Sequence, residues 1–330
     1  MRRREFLGVL GGGAAAWPLA ARAQRSERVR RVGVLLPASE DDPEYQAFLG
    51  AFREELRKLG WAEGINIRID IHWASGGAAA MQRFANELVM RQPDLILTQG
   101  TPATASAQQQ TRSIPIVFAS VVDPIGSGFV ASFARPRGNV TGFTVMEAAT
   151  AGKWLELLKE IAPRIAQVGF LFHPTTAPYA EYYLKPFRTA AGALAVRSSS
   201  ASIRDASELE SVIRTLGRDS NGGLVVMPDH YLNVHRAEII SLAARYHVPA
   251  VYPYRFYAEL GGLLSYGSDY VDNWRRAAIY ADKILKGEKP AELPVQAPVK
   301  YDLVINLKTA KSLGLDVPLI LQQRADEVIE

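Results

Sequence analysis

A handful of short segments carry groups that could hold a small charged molecule. Gly100-Thr101-Pro102-Ala103 is the sharpest. Glycine lets a ligand approach the backbone, threonine can cap a helix, and proline suits a helix's first turn. The free N–H groups of such a helix start would suit an anion, a carboxylate above all. Good capping alone would also explain these residues. Asp123, Asp229 and Asp269 each follow an apolar, β-rich run and could receive an ammonium group; aspartate in that position is equally a common helix cap. Thr175 and Thr176 offer two hydroxyls, and Ala38-Ser39 follow the first apolar run. Of 13 tyrosines only Tyr45 precedes residue 179, while Tyr179, Tyr254 and Tyr266 stand at or near the ends of such runs. Rings there suit a ligand with an apolar or aromatic body, and core packing would use the same rings.

Groups that would transform a ligand are missing from the sequence patterns. There is no GxSxG elbow, HExxH pair, Walker loop or GxGxxG after a strand. His230 and His235 are five apart, which misses the one-face spacing of a helical metal pair, so they read as a loop and a surface residue. Cysteine is absent, which removes disulfides, thiolate metal sites, cysteine nucleophiles and a lipid-anchoring cysteine. No metal and no cofactor is expected.

The candidate residues need a scaffold, and the hydrophobic periodicity supplies one. Arg31–Leu36, Ile65–Trp73, Asp94–Thr98 and Ile114–Ser120 read as strands, alternating with helices over Pro43–Leu59, Ala78–Arg91 and Thr101–Gln110. A Gly- and Pro-rich linker, Pro124–Asn139, follows, and the same grammar restarts at Gln167–Phe172. Val32 to Ile116 spans 84 positions and Val168 to Ala250 spans 82, so two α/β halves of near-equal length are expected. The tail, from Gly262 onward, must rejoin both halves. Crossings near Asn139–Met146, Tyr266–Asp269 and Val295–Lys300 would make a three-segment hinge. The expected lobes are residues 29–143 with about 268–297, and residues 144–267 with about 298–330. In such parallel units ligands bind beyond the carboxyl ends of the strands, where every candidate above falls.

The N-terminus bears on location. Arg2-Arg3-Arg4, a short apolar run and Ala21-Arg22-Ala23 form an export signal over residues 1–23, with Arg3-Arg4-x-Phe-Leu resembling a twin-arginine motif. The chain carries 38 Lys+Arg against 34 Asp+Glu, but four arginines and one glutamate lie in residues 1–23, leaving 34 against 33. No nucleic-acid or membrane-surface partner follows from so small a surplus. The expected product is a free periplasmic protein, not lipid-anchored.

Taken together, RRREFL, VRRVGVLLP, GNVTGF, NGGLVVMPD, PAVYPYRFYAELGGLLSYG and LVINLKTAKSLGL resemble the ABC-transporter substrate-binding proteins of the tryptophan/tyrosine-binding type, over essentially the whole chain. The resemblance implies a type I periplasmic binding-protein fold: two doubly wound Rossmann-like lobes, a three-strand hinge, and ligand in the cleft. It implies contacts from Gly100–Thr104, Asp123, Thr175–Thr176, Asp229 and Tyr266–Asp269. It also implies an inner-membrane permease and ATPase as partners, with a small organic ligand, an aromatic amino acid foremost; a monomer is expected. One departure is Arg137, where a glycine is usual before Gly138-Asn139. A periplasmic sensor using the same cleft, or an exported enzyme, are the competing expectations.

Overall fold

The computed structural model describes residues 28–330 apart from 76, 219 and 220. The export signal therefore lies outside the described residues. Two sheets organise the chain. The first is built from β1 (Arg30–Leu36), α1 (Pro43–Lys58), β2 (Ile67–Trp73), α2 (Gly77–Met90), β3 (Leu95–Gln99), α3 (Gly100–Gln110), β4 (Ile116–Val121) and β5 (Val140–Thr144). Its strand order is β2-β1-β3-β4-β5, all parallel. The near-continuous apolar strands are what such a sheet, covered on both faces, demands.

The second sheet follows from α4 (Thr150–Ile161), β6 (Gln167–Phe172), α5 (Ala180–Ala193), β7 (Arg197–Ser202), α6 (Ala206–Gly217), β8 (Gly222–Val226), α7 (His230–Val234), α8 (Arg236–Arg245), β9 (Ala250–Tyr252), α9 (Arg255–Glu259) and β10 (Leu264–Ser268). The chain then places α10 (Tyr270–Leu285) against the first sheet before β11 (Tyr301–Asn306), α11 (Leu307–Ser312), α12 (Leu319–Arg324) and β12 (Glu327–Ile329) complete the second. The order is β12-β11-β10-β9-β8-β6-β7, parallel except where β10 meets β11. Two mostly parallel α/β lobes are thus present, as the periodicity indicated. Among the described residues no helix is long and apolar enough to cross a membrane.

The tail knits the lobes together. Trp274 of α10 is fully buried against Phe48 and Phe52 of α1, with ring centroids 6.1 Å away in both cases. After α10, Gln296 pairs with β5: Thr144 N–H donates to its carbonyl (2.9 Å) and its N–H to that of Gly142 (3.0 Å). Hydrophobic periodicity alone does not mark β5, which follows the Gly- and Pro-rich linker directly. This five-residue strand carries Gly142, and its edge is completed by Gln296, 152 positions beyond Thr144.

Three passages of chain run between the sheets, after β5, after β10 and before β11, and they are tied to one another. Ser268 Oγ donates to the Val145 carbonyl (2.6 Å), Asn273 Nδ2 to that of Thr144 (3.2 Å), and Glu147 N–H to Tyr301 Oη (3.3 Å). Gly267 sits at this junction because nothing larger fits: a Cβ there would lie 1.8 Å from the Pro253 carbonyl oxygen. Gly267→Ala should therefore destabilise the fold by about 1–3 kcal/mol through overpacking, read as a lower urea midpoint. An unchanged midpoint would show that the junction yields.

Candidate functional site

The carboxyl ends of both sheets face one cavity. From the first lobe come Pro37 after β1, Tyr45 of α1, Gln99 through Pro102 at the β3–α3 junction, and Ser120 and Val122 at the end of β4. From the second come Tyr179, Pro228, Asp229, His230, Asn233 and Tyr254, while Tyr270 enters at the start of α10. The room left there for the centre of a water-sized sphere is about 30 Å³.

Asp229 is the buried charge of this cavity, 1% exposed. Its Oδ1 accepts from the Thr176 hydroxyl (2.6 Å) and the Tyr231 N–H (2.9 Å), and its Oδ2 from the His173 N–H (2.7 Å). It thus caps α7 and pins the loop after β6, and one Oδ2 lone pair is left for a ligand. Burial raises its carboxyl to about 6, against the lowering effect of those three donors. The neighbouring His230 has an Nδ1 shielded from solvent with no hydrogen-bond partner among the described residues, and burial pushes its imidazole down to about 4. Its uncharged ring faces the cavity, where the sequence reading expected an unremarkable loop histidine.

On the opposite wall the β3–α3 junction presents neutral donors. Helix α3 begins at Gly100 with φ +76°, and its N-cap, Gln99, makes no side-chain capping bond. Thr101 is not the cap that its type suggested. Its hydroxyl is spent on the Val122 backbone, accepting from the N–H (3.2 Å) and donating to the carbonyl (3.3 Å). The register of β4 breaks between Ala119 and Val121, and Ser120 there adopts φ +61°. Such a bulge re-aims a side chain, and the Ser120 hydroxyl meets Asn273 Nδ2 (3.3 Å). Tyr254 and Tyr270 share a hydroxyl–hydroxyl bond, and Tyr179 Oη donates to the Pro228 carbonyl (2.9 Å). Burial holds all three phenols well above their usual range, so they act as neutral hydroxyls.

A clasp closes the rim. Arg236 of the second lobe donates through Nη1 and Nη2 to the two carboxylate oxygens of Asp42, the α1 cap of the first lobe, at 3.0 and 3.2 Å. The side chains are only 13% and 12% exposed, and the guanidinium also donates to the Asn233 carbonyl (2.8 Å).

Of the candidate residues, the structure brings Gly100, Thr101, Pro102, Tyr179, Asp229 and Tyr254 to this cavity. Thr176 reaches it only through Asp229. Ala38 and Ala103 are buried behind it, and Ser39 and Thr175 are exposed. Asp123 closes its own turn, accepting from Gly126 N–H (2.9 Å) at φ +42°. Tyr266 stacks on Tyr301, and Asp269 caps α10 and lines two other cavities beside the hinge. Gln99, Ser120, Asn233 and Tyr45 escaped the sequence reading. The rule of looking beyond strand ends borders the first two, and nothing in the local sequence marks the others. Among the described residues no group of three or more His, Asp or Glu could hold a metal.

Known proteins share this architecture. A tyrosine-binding protein of Clostridioides difficile (strain R20291) is 26% identical over 265 residues, covering 80% of this chain and 75% of that protein. A conserved domain protein from Vibrio cholerae superposes with a TM-score of 0.84 at 26% identity, covering 91% of this chain and all of the other. An ABC domain from Streptococcus pneumoniae in complex with L-Trp gives 0.84 at 24% identity, covering 91% and 99%. The ligand-free, open structure of a C. difficile substrate-binding protein with adhesive properties gives 0.68 at 24% identity, covering 92% and 99%. A model of the ABC transporter substrate binding protein family matches residues 31–329, so the chain, with its two α/β lobes and shared cavity, belongs to that family.

Proposed function

We propose that this protein captures an aromatic amino acid, tryptophan or tyrosine foremost, between its lobes and delivers it to a membrane permease driven by an ATPase. The observation that carries the reading is the cavity itself. Both lobes line it, with four tyrosines, a buried carboxylate on one wall and a helix start on the other. That arrangement suits a zwitterion with a ring: the carboxylate toward α3, the ammonium toward Asp229, the ring among the tyrosines. The tyrosine-binding relative and the Trp-bound structural neighbour support the same ligand class.

The lobes would be residues 29–143 with about 268–297, and 144–267 with about 298–330, rotating about the three tied passages. The cavity lined from both lobes and the Arg236–Asp42 clasp fit a closed form. Moving the population from 1:99 open to 99:1 closed takes about 5.5 kcal/mol of differential binding. Export to the periplasm by the N-terminal signal, without a lipid anchor, and action as a monomer complete the reading.

A thermal-shift screen of the mature chain tests it. Tryptophan or tyrosine at 100 times its Kd should add about 2.7 kcal/mol of stability. Small-angle scattering should show the particle contract on binding. A shift with sugars or polyols alone would end the amino-acid reading, and binding with no contraction would end the closure.

A further inference from the structure

We propose that Gln99 selects ligands by their carboxylate, and that Trp274 is the positioning residue that makes it do so. The inference rests on the cleft reading above and names the group that sets the chemistry of one wall. The Trp274 indole N–H donates to Gln99 Oε1 at 2.9 Å, across 175 positions of sequence. An indole nitrogen is a donor only, so it can meet only the carbonyl end of the amide. The orientation of Gln99 is thereby fixed by chemistry: oxygen toward Trp274, NH2 away from it.

That NH2 has no hydrogen-bond partner among the described residues, although Gln99 is only 3% exposed and lines the cavity. Its nitrogen keeps contact with the cavity and is free to donate there. The site is completed by an acceptor from the ligand. Trp274 cannot turn away, being fully buried between Phe48 and Phe52. The first N–H groups of α3, which no helical carbonyl satisfies, open on the same spot. Gly100 leaves the approach clear, with no atom within 4 Å of where a Cβ would stand. The groups the β3–α3 junction offers are therefore neutral donors. The opposite wall holds Asp229, which would repel a carboxylate, so the ligand has one orientation. A carboxamide has one acceptor oxygen where the carboxylate has two, so its NH2 would meet either the Gln99 NH2 or the N–H groups of α3.

Isothermal titration of tryptophan and tyrosine, each against its carboxamide, tests the assignment. The wild type should prefer the acid by about tenfold or more, one charge-assisted hydrogen bond's worth. Gln99→Glu keeps one oxygen on the Trp274 indole and turns the other into an acceptor facing the cavity, so the acid/amide ratio should fall at least tenfold. Trp274→Phe keeps the ring and frees the amide; it should lower the ratio, whereas a merely structural role would lower the melting temperature and leave the ratio alone. Equal affinity of the wild type for acid and amide overturns the proposal, as does an unchanged ratio in Gln99→Glu. Adding leucine, benzoate and succinate separates the two claims. If these bind while tryptophan and tyrosine fail, the aromatic reading falls alone. If no acid binds, the carboxylate assignment falls.

Discussion

Arg236→Ala should weaken ligand capture about 100-fold while leaving each lobe folded. The Arg236–Asp42 pair is a bidentate bridge between lobes, both side chains nearly out of solvent. Removing one partner of such a pair costs about 3–5 kcal/mol because the other charge is stranded. The low end applies here. Asp42 keeps its capping bond from the Glu44 N–H at 3.0 Å and regains water when the lobes part. Because the bridge is interlobe, the loss of about 3 kcal/mol falls on the closed form alone, which is about 100-fold in Kd. Titration calorimetry reads the affinity, and small-angle scattering at saturating ligand reads the closure. A double variant, Asp42→Asn with Arg236→Ala, should recover part of the loss, since no unpaired charge remains. If Arg236→Ala binds as tightly as the wild type, the clasp is incidental to capture.

The lobes were legible because buried parallel strands write themselves as short apolar runs, and RVGVLL, QVGFLF and GLVVM are such runs. The rule that ligands lie beyond strand ends located Gly100–Pro102, Asp229, Tyr179 and Tyr254. It also gathered Asp123, Thr175, Tyr266 and Asp269, which the structure turns elsewhere. A strand end fixes which side of the sheet a loop leaves from, and the loop's own hydrogen bonds decide where it points. Asp123 is drawn into a turn by Gly126, and Asp269 is drawn into capping α10 by Asp272. Gln99 was illegible for a different reason. Its meaning lies in Trp274, and no local pattern joins residues so far apart. The Arg137 departure gains a physical account: the residue sits at φ +58°, a conformation glycine adopts freely, and Gly138 beside it has φ +72°. It lies outside the residues lining the cavity.

Acidification should separate the wild type from Asp229→Asn. Burial raises the Asp229 carboxyl from 3.8 to about 6. Between those values the folded chain binds a proton that the unfolded chain does not. The contribution of Asp229 to stability is therefore fully present at low pH and is lost as pH rises through 6. Two units are about 3 kcal/mol in all, about 2 of it already regained on going from pH 7 to 4.5. His230 works in the opposite sense. Burial depresses it from 6.5 to about 4, so the unfolded chain takes up the extra proton and stability falls as pH drops through that window. In the wild type the two largely cancel. Asp229→Asn removes one of them, and the variant should lose about 2 kcal/mol more than the wild type between pH 7 and 4.5. Urea unfolding across that range measures the difference, and parallel profiles would show that Asp229 is not the buried acid described here. Ligand affinity adds an independent reading. An ammonium seated on the remaining lone pair of Asp229 needs the carboxylate ionised, so wild-type affinity for an amino acid should fall below pH 6. Affinity for the same acid without its amine should hold or rise, since a protonated Asp229 no longer repels the carboxylate.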